Sequence, residues 1–421
     1  MKMSTLHINV RIRVLDVFLH GLSNSMFFPF MSIYFASHFG AKLTGILMIF
    51  TVIFGFGVGL YAGYFSDIIG RKKIILVASI TRSLGLLFMA LANTNLFQST
   101  AWTFLAFIIV TASSSIAEPV AEAMLIDATT NDNRKHVYGF MYWFNNLAIV
   151  IGAVIGGFYF TTHLFIILLV SFMISFVSVI LIFCFISDTY KHAGKITNQS
   201  WMSVFKDIGT QYKRVSMDKV FMIFTLATLL FFTLEFQVSN YIGIRLAKEI
   251  HIQNLISISS FHLQVDGTRM LGLLNAENTM IVVTLTLIVG KMMSRYKNIN
   301  VLIFGLLLYT FGTFVMGYSN APWFLLAAGF FAAVGEIMFW PVRQYYLADL
   351  IPENTRSSYM AVNSIVGNGG SMLASLFITI GAFVSPVVIS GLYIVIGLLC
   401  IWLFKLAISM IKEREKAKKF A

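Results

Sequence analysis

Residues 63–73 read G-Y-F-S-D-I-I-G-R-K-K and lie between two long apolar runs. Asp67 falls at the C-terminal end of its own predicted helix, where the helix dipole disfavours a negative charge. We therefore expect a partner for Asp67, either Arg71 across the turn or the positive N-terminus of a neighbouring helix. Gly70 permits a backbone turn that a side chain would obstruct, and Gly63 lets another helix approach closely. The stretch predicts two membrane spans joined by a very short, charged link.

Composition defines the class of protein. Of the 421 residues, 58% are hydrophobic and 11% are charged, whereas a soluble domain carries about 25% charged residues. The apolar residues occur in runs of about 20, the length that crosses a bilayer. Short alternating segments typical of a membrane β-barrel are absent from the sequence. The chain is predicted to be an all-α polytopic membrane protein, which excludes a soluble enzyme.

Other features of the sequence argue against nucleic-acid binding and against disulfide, metal and phosphate-binding sites. The net charge of +12 does not indicate nucleic-acid binding, because the cations sit in the links between spans. Cys184 and Cys400 lie inside predicted spans and have the character of small apolar residues rather than disulfide or metal ligands. No phosphate-binding glycine loop and no metal-ligand cluster occurs in the sequence. We expect no cofactor, and we expect a proton gradient to supply the energy.

The apolar runs predict twelve spans in two six-helix halves. The spans are placed at 13–37, 43–66, 74–93, 101–128, 137–160, 164–186, 219–245, 277–297, 300–318, 322–350, 357–382 and 386–410. The predicted organisation is an N-terminal half at 1–186, a cytoplasmic linker at 187–218 and a C-terminal half at 219–421 with a basic cytoplasmic tail. The aromatic and basic linker is suited to an anionic lipid surface. Most Lys and Arg residues fall in the links on one side, which predicts that both termini are cytoplasmic.

The two halves also repeat in sequence. Two triplets share spacings of 8 and 7 residues at an offset of 222: Pro119, Asp127 and Arg134, and Pro341, Asp349 and Arg356. The two triplets occupy equivalent places, at the ends of predicted spans four and ten. A parallel repeat of six helices, related by an axis along the membrane normal, is typical of alternating-access transporters.

Several stretches carry a family resemblance. Gly63-x-x-x-Asp67-x-x-Gly70-Arg71-Lys72 resembles the signature between spans two and three of the major facilitator superfamily. Gly152-x-x-x-Gly156-Gly157 is similar to the antiporter signature of its twelve-helix drug/proton exchange branch. Gly335-Glu336-Ile337 and Ile126-Asp127-Ala128 are among the stretches that resemble the lactococcal-type multidrug/proton antiporters. The resemblance implies the major facilitator fold, and it implies roles in proton coupling, switching or drug binding for Asp67, Asp127 and Glu336.

Intramembrane carboxylates are the candidate coupling residues, since an ionisable residue inside a span costs at least about 2.5 kcal/mol on insertion scales. Glu336 lies mid-span, where a low dielectric favours the neutral form and allows proton exchange near neutral pH. The alternative for Glu336 is a static ion pair with Arg343. Glu235 in span seven is a second candidate, and a structural hydrogen bond to a facing helix is its alternative. Asp127 and Asp67 complete the predicted proton-coupling set.

Span four carries Glu118 and Glu122 one helical turn apart, so the pair is expected to titrate as a unit. Arg82 or Arg343 could instead neutralise either of them. The predicted substrate-binding set is Glu118, Glu122, Glu235, Glu336, Arg343, Trp143 and Asn24. The predicted gate and motif set is Gly63, Asp67, Gly70, Arg71, Lys72, Arg134, Gly152, Gly156, Asp349 and Arg356. Asn24 belongs to a polar stripe on span one that is predicted to face a central cavity.

The functional hypothesis is a secondary exporter that exchanges protons for lipophilic, cationic compounds by alternating access, and that acts as a monomer in a bacterial plasma membrane. Aromatic side chains beside buried carboxylates suit such cations through stacking and cation–π attraction. Its partners would be small lipophilic molecules, protons and membrane lipids. Two alternatives stay open: a proton-coupled symporter for a metabolite, and a non-transporting membrane receptor or scaffold.

Overall fold

The computed structural model of the chain describes residues 7–129, 131–187, 215–258, 261–351 and 356–420. Most of the predicted linker at 187–218 therefore lies outside the described residues. In the first part of the chain the helices are α1 (Ile8–Phe39), α2 (Ala41–Ile69), α3 (Arg71–Leu91), α4 (Thr100–Ala128), α5 (Asn131–Tyr159) and α6 (Leu164–Phe185). A small antiparallel hairpin of β1 (Asn93–Thr94) and β2 (Phe97–Gln98) joins α3 to α4.

The second part of the chain is also helical. Its elements are α7 (Lys219–Glu235), α8 (Gly243–Glu249), β3 (Gln253–Ile258), β4 (Phe261–Val265), α9 (Gly267–Met293), α10 (Asn298–Tyr318), α11 (Pro322–Leu350), α12 (Arg356–Ile380) and α13 (Pro386–Phe420). Counting Lys219–Glu249 as one segment, ten of the described helical segments are long and apolar enough to cross a membrane by length and composition. The prediction of an all-α membrane fold is confirmed, with two short hairpins added to it.

The turn in the opening stretch has the backbone that the sequence predicts. Gly70 ends α2 and precedes α3 with φ 104° and ψ 138°, a conformation that residues with a Cβ rarely adopt. Gly40, between α1 and α2, also has a positive φ, of 78°. Each glycine thus lets one long helix end and the next begin within a single residue.

The sequence repeat corresponds to a structural repeat. Helices α4 and α11 both contain 29 residues, and the bounds of α11 lie 222 residues after those of α4. Pro119 and Pro341 lie inside these helices at equivalent positions. Proline is tolerated inside a membrane helix where neighbouring groups satisfy the freed backbone. The equal lengths of α4 and α11 support the two pseudo-symmetric halves that the repeated Pro-Asp-Arg triplets predict.

Contacts between Cα atoms divide the chain into two compact units. Unit 1 contains Met1–Ala193 and Leu246–Met280, and unit 2 contains Gly194–Arg245 and Ile281–Ala421. The first half of α9 therefore belongs with the N-terminal helices by its contacts. The six-plus-six division at residues 187–218 stays a prediction.

The seventh span is interrupted. Helix α7 stops at Glu235, and a π-helical turn follows at Val238–Ile242, where Asn240 has non-helical backbone angles of φ −106° and ψ −105°. Helix α8 then follows for seven residues. Interruptions of this kind within membrane spans are tolerated where the backbone is buried in protein or lines a cavity. Glu235 is thus placed at a helix end and not in the middle of a regular span.

The segment after α8 differs from the sequence prediction. Strands β3 and β4 pair antiparallel with a register shift between Asn254 and Ile256, and α9 begins at Gly267. The prediction that span eight begins at residue 277 was therefore wrong by ten residues. The physical reason is that the first turns of α9 contain small and polar residues, which hydropathy does not distinguish from a loop.

Asp218 joins three helices of unit 2, and its replacement should lower stability. Its Oδ1 caps α7 by accepting from the amides of Val220 (3.1 Å) and Phe221 (3.2 Å). The Tyr359 hydroxyl donates to Oδ2 at 3.1 Å, and Arg414 donates to Oδ1 at 2.8 Å. Burial opposes ionisation, but these bonds, led by that of Arg414, outweigh it and hold the pKa of Asp218 below its usual value. The carboxylate therefore stabilises the fold in its charged form.

We expect Asp218→Asn to cost about 1 kcal/mol at neutral pH, because asparagine can still cap α7 but loses the ion pair with the half-exposed Arg414, and such pairs contribute up to about 1 kcal/mol. Because the folded pKa is lowered, this contribution is complete above the unfolded value of about 3.9. The contribution of Asp218 to stability disappears as the pH falls through the pKa of this residue in the folded protein. Thermal unfolding of the detergent-solubilised protein at pH 7 and under acid measures it. Glu413→Gln, at an exposed residue of α13, is the control, and an unchanged Tm for Asp218→Asn at pH 7 would contradict the assignment.

Candidate transport site and gate

The charged turn after α2 is tied to two other helices of unit 1. Arg71 forms an ion pair with Asp127 at the end of α4 and also donates to the carbonyl of Ala123 at 2.9 Å. Lys72 Nζ donates to the carbonyl of Phe183, near the end of α6, at 3.0 Å. The structure therefore brings Arg71 and Asp127 together, as a gate network requires. Their role as a gate stays a prediction.

The other predicted gate residues are placed by their backbones. Gly63 and Asp67 lie in α2, Arg134 lies in α5 and Arg356 begins α12, while the side chains of Asp67, Arg134 and Arg356 lie outside the described residues. Asp349, near the end of α11, is exposed and has an interaction partner. The equivalence of Asp349 with Asp127 is therefore supported by position in the repeat alone.

The glycine motif of α5 produces two close helix contacts. A Cβ at Gly152 would lie 2.8 Å from the carbonyl oxygen of Leu22, and one at Gly156 would meet the Met26 carbonyl and the Phe30 ring of α1. On the adjoining face, a Cβ at Gly157 would lie 2.8 Å from the Cα of Gly272 in α9. Such close backbone approaches depend on small residues. The motif packs α5 against α1 on one side and against the first half of α9 on the other.

Buried polar groups of unit 1 centre on Arg82. Its guanidinium donates to the Ser175 hydroxyl at 3.1 Å and to the Ser23 hydroxyl at 3.4 Å, and the residue is 5% exposed. Asp16 accepts from Arg13 on its own helix and from Ser178 on α6. The polar stripe of α1 is therefore bonded in part to α6.

The candidate binding residues of unit 1 have separate surroundings. Glu122 accepts a hydrogen bond from the Tyr138 hydroxyl, so this contact, rather than an arginine, satisfies it. Glu118 is exposed one turn earlier and lies within electrostatic range of Arg82. Trp143 is 52% exposed and packs edge-to-face on Phe144 at 5.3 Å, while Asn24 is half-buried. The structure does not bring Trp143 or Asn24 into a shared contact with either glutamate among the residues that it describes.

Unit 2 holds a group of three charges. Glu235, at the end of α7, lies within electrostatic range of Glu336 and Arg343 of α11. The Oε2 atom of Glu235 is out of solvent contact and has no hydrogen-bond partner among the described residues. Arg343 is 2% exposed, and it donates to Thr228 at 3.4 Å and to Asn363 at 2.5 Å. With both carboxylates ionised, the group carries one uncompensated negative charge.

Aromatic rings surround these charges. Phe231 stacks on Phe339 with centroids 3.8 Å apart, and Phe232 packs edge-on against Trp340 at 5.5 Å. The Arg343 guanidinium lies 5.3 Å from the centroid of Trp340. This is a cation–π geometry, in which the electron-rich ring face stabilises a positive charge. The three charges in unit 2 thus lie beside a cluster of aromatic rings.

A profile described as Major Facilitator Superfamily matches residues 15–265 and 256–421. The chain belongs to the Major Facilitator Superfamily. It is therefore a multi-pass membrane transporter, and the resemblance of the opening stretch to the superfamily signature is confirmed. The lactococcal-type branch and the drug/proton exchange branch are finer assignments that the match does not make.

One relative of this superfamily member is similar over nearly its whole length. The Na(+), Li(+), K(+)/H(+) antiporter of Planococcus maritimus is 27% identical over 417 residues, covering 96% of this chain and 98% of the antiporter. A mutant of the peptide transporter POT in complex with alafosfalin has a TM-score of 0.74 at 12% identity, with 94% of both chains covered. The nucleoside transporter NupG has a TM-score of 0.69 at 13% identity, covering 95% of this chain and 100% of NupG. The two structures show the shared fold alone.

Sequence reasoning missed two charged residues of this transporter. Arg245, the last residue of predicted span seven, is 2% exposed and donates to the carbonyls of Met316 (2.9 Å) and Ser319 (2.7 Å). Glu277 was placed at the edge of span eight, whereas it lies ten residues inside α9. The signal that could have found Glu277 is an acid three residues before a long apolar run that begins at Met280.

A cavity of about 880 Å³ in unit 1 contains none of the predicted site residues. It lies near the ends of α1, α3 and α5, and its lining includes Tyr34, His38, Asn93, His163, Ala247 and Thr268. The imidazole Nδ1 of His38 is within 2.8 Å of the Tyr34 carbonyl. The predicted binding residues therefore lie outside the lining of this cavity.

Proposed function

We propose that this transporter is a proton-coupled antiporter that exchanges protons for monovalent cations across a bacterial plasma membrane. The observation that carries the proposal is the charge balance of Glu235, Glu336 and Arg343 in unit 2. Two carboxylates facing one guanidinium leave a single negative charge to be neutralised in a low-dielectric interior. Either one proton or one monovalent cation neutralises it, so the two occupants exclude each other.

The similarity to a cation/proton antiporter over 96% of the chain supports this cargo. The proton gradient is then the energy source, and no resident cofactor is required. In the cycle, a cation entering from the cytoplasm displaces the proton from the Glu235–Glu336 pair. Reprotonation from the opposite side then releases the cation. Arg71 and Asp127 would hold the cytoplasmic gate closed while the site is open outward.

A lipophilic organic cation is a second candidate cargo. It is favoured by the aromatic rings of Phe231, Phe232, Phe339 and Trp340 beside the same charges. Flat organic cations gain stacking and cation–π attraction from such rings, whereas a hydrated alkali ion gains little from them. The charge exchange would be the same, with one proton displaced by each monocation. This candidate keeps the assignment to a drug/proton exchange branch.

The test measures a pH gradient in inside-out membrane vesicles with a pH-sensitive fluorescent amine. We expect sodium, lithium or potassium chloride to collapse the gradient in vesicles that contain the protein. Choline chloride and vesicles without the protein are the controls. Collapse by ethidium but by no alkali cation would replace the first cargo by the second. A gradient indifferent to every cation would contradict antiport, and metabolite-driven proton entry would then favour the symporter alternative.

A further inference from the structure

Glu277 has an unusual position in α9. It lies ten residues after the first residue of the helix, which at about 1.5 Å per residue is some 15 Å along the axis. The residue is half-buried, and its Oε2 atom is out of solvent contact without a hydrogen-bond partner among the described residues. Neither of the two carboxylates assigned above to the exchange, Glu235 and Glu336, lies on this helix. Glu277 is thus a further intramembrane acid that the proposed cycle has not used.

The helix around Glu277 offers it no polar partner on its own face. Residues three and four positions away share a helix face, and here they are Leu273, Leu274, Met280 and Ile281. The first half of α9 is held against α5 by the Gly157–Gly272 approach, where an added Cβ at Gly272 would lie 2.6 Å from the Ala153 carbonyl oxygen. Glu277 therefore stands on a closely packed helix with apolar residues on its own face and with Asn275 and Asn278 on the neighbouring faces.

Among the described residues, four charged or titratable groups besides Glu277 lie within six residues of Gly157 or Gly272 along the chain. They are Asp266, Arg269, Tyr159 and His163. Arg269 pairs with Asp266 at 3.7 Å and lies over the Phe158 ring at 5.6 Å. Tyr159 and His163 are in ring contact with centroids 6.0 Å apart. None of these groups forms a hydrogen bond or ion pair with Glu277, so nothing described compensates its charge.

We propose that Glu277 is a separate exchange site of the transporter, holding either a proton or a monovalent cation. An isolated carboxylate ion in a low-dielectric surrounding is costly, and it neutralises or finds a counter-charge. A proton and an alkali cation each supply one positive charge to the same oxygen atoms. The two therefore compete at Glu277, as they do at the three-charge group of unit 2. This inference rests on the proposed cation/proton antiport and adds a second exchangeable charge to it.

The test uses chemical labelling and does not depend on transport. Dicyclohexylcarbodiimide modifies protonated carboxyl groups in apolar surroundings, and mass spectrometry of the purified full-length protein locates the product. We expect labelling at Glu277 that falls about tenfold for each pH unit above its midpoint, as the protonated fraction does. Sodium or potassium chloride should lower the labelling at fixed pH, whereas choline chloride at equal ionic strength should leave it unchanged. Glu277→Gln should remove this product.

Two variants distinguish this site from the rest of the protein. Glu249→Gln, at the end of α8 in the same unit, should leave the labelling of Glu277 unchanged. Glu235→Gln disables the proposed exchange in unit 2, and we expect cation protection of Glu277 to persist in it. Absent labelling at Glu277, or labelling indifferent to pH and alkali cations, would overturn the inference even if the vesicle assay succeeds. Protection in the wild type without gradient collapse would support the site while contradicting antiport.

Discussion

Gly156→Val is expected to destabilise the transporter by about 3 kcal/mol or more, at or above the upper end of the usual cost of overpacking. An added Cβ at Gly156 would overlap the Met26 carbonyl of α1 and lie 2.5 Å from the Phe30 ring. A backbone carbonyl cannot turn aside as a flexible side chain can, so α1 and α5 must separate. Since folded proteins are stable by only about 5–15 kcal/mol, abundance in the membrane should fall steeply.

Thermal unfolding in detergent and the amount of protein in membranes measure the effect of Gly156→Val. Gly139→Val is the matched control, because Gly139 lies on the same helix and an added Cβ there meets nothing within 4 Å. The control separates the helix contact from the general effect of a β-branched residue on helix propensity. Equal Tm values for the two variants would contradict the close packing of α5 on α1.

Much of the fold follows from local sequence. Gly70 identified the turn after α2 because only a residue without a Cβ adopts that backbone at low cost. The offset of 222 residues between Pro119 and Pro341 identified the repeat, and α4 and α11 have equal lengths at that offset. Long apolar runs identified the spans since the bilayer sets their length. These features depend on neighbours along the chain, which the sequence displays directly.

The parts that could not be predicted depend on long-range packing. Arg82 was one of two arginines considered as partners for the glutamates of α4; it lies within electrostatic range of Glu118, but its hydrogen bonds go to serines of α1 and α6. No local pattern shows which helices face that guanidinium. The start of α9 at Gly267 was missed because small and polar residues interrupt the apolar ones in its first turns, so Glu277 was read as an edge residue. The interruption at residues 236–242 likewise contains no glycine or proline that would predict it.

Glu235→Gln is expected to abolish proton-coupled exchange while leaving the protein folded. Glutamine keeps the shape of the side chain but removes its charge, so Glu336 and Arg343 are left as a balanced pair. The group then has no net charge for a proton or cation to neutralise. Cation-dependent collapse of the vesicle pH gradient should fall to the level of vesicles without the protein. Glu413→Gln, at an exposed residue of α13, should transport as the wild type does.

Loss of transport in a single variant would also result if Glu235 had only a structural role, and a charge-balance series separates the two explanations. Arg343→Gln leaves two carboxylates without a guanidinium, so one of them stays protonated and the other still supplies one exchangeable charge. Combining Glu235→Gln with Arg343→Gln leaves Glu336 as the one charged residue of the group and likewise restores one exchangeable charge. We therefore expect the double variant to recover part of the gradient collapse that Glu235→Gln loses. Such non-additivity is the signature of residues that act as one group, whereas a double variant that is additively worse would contradict a shared charge.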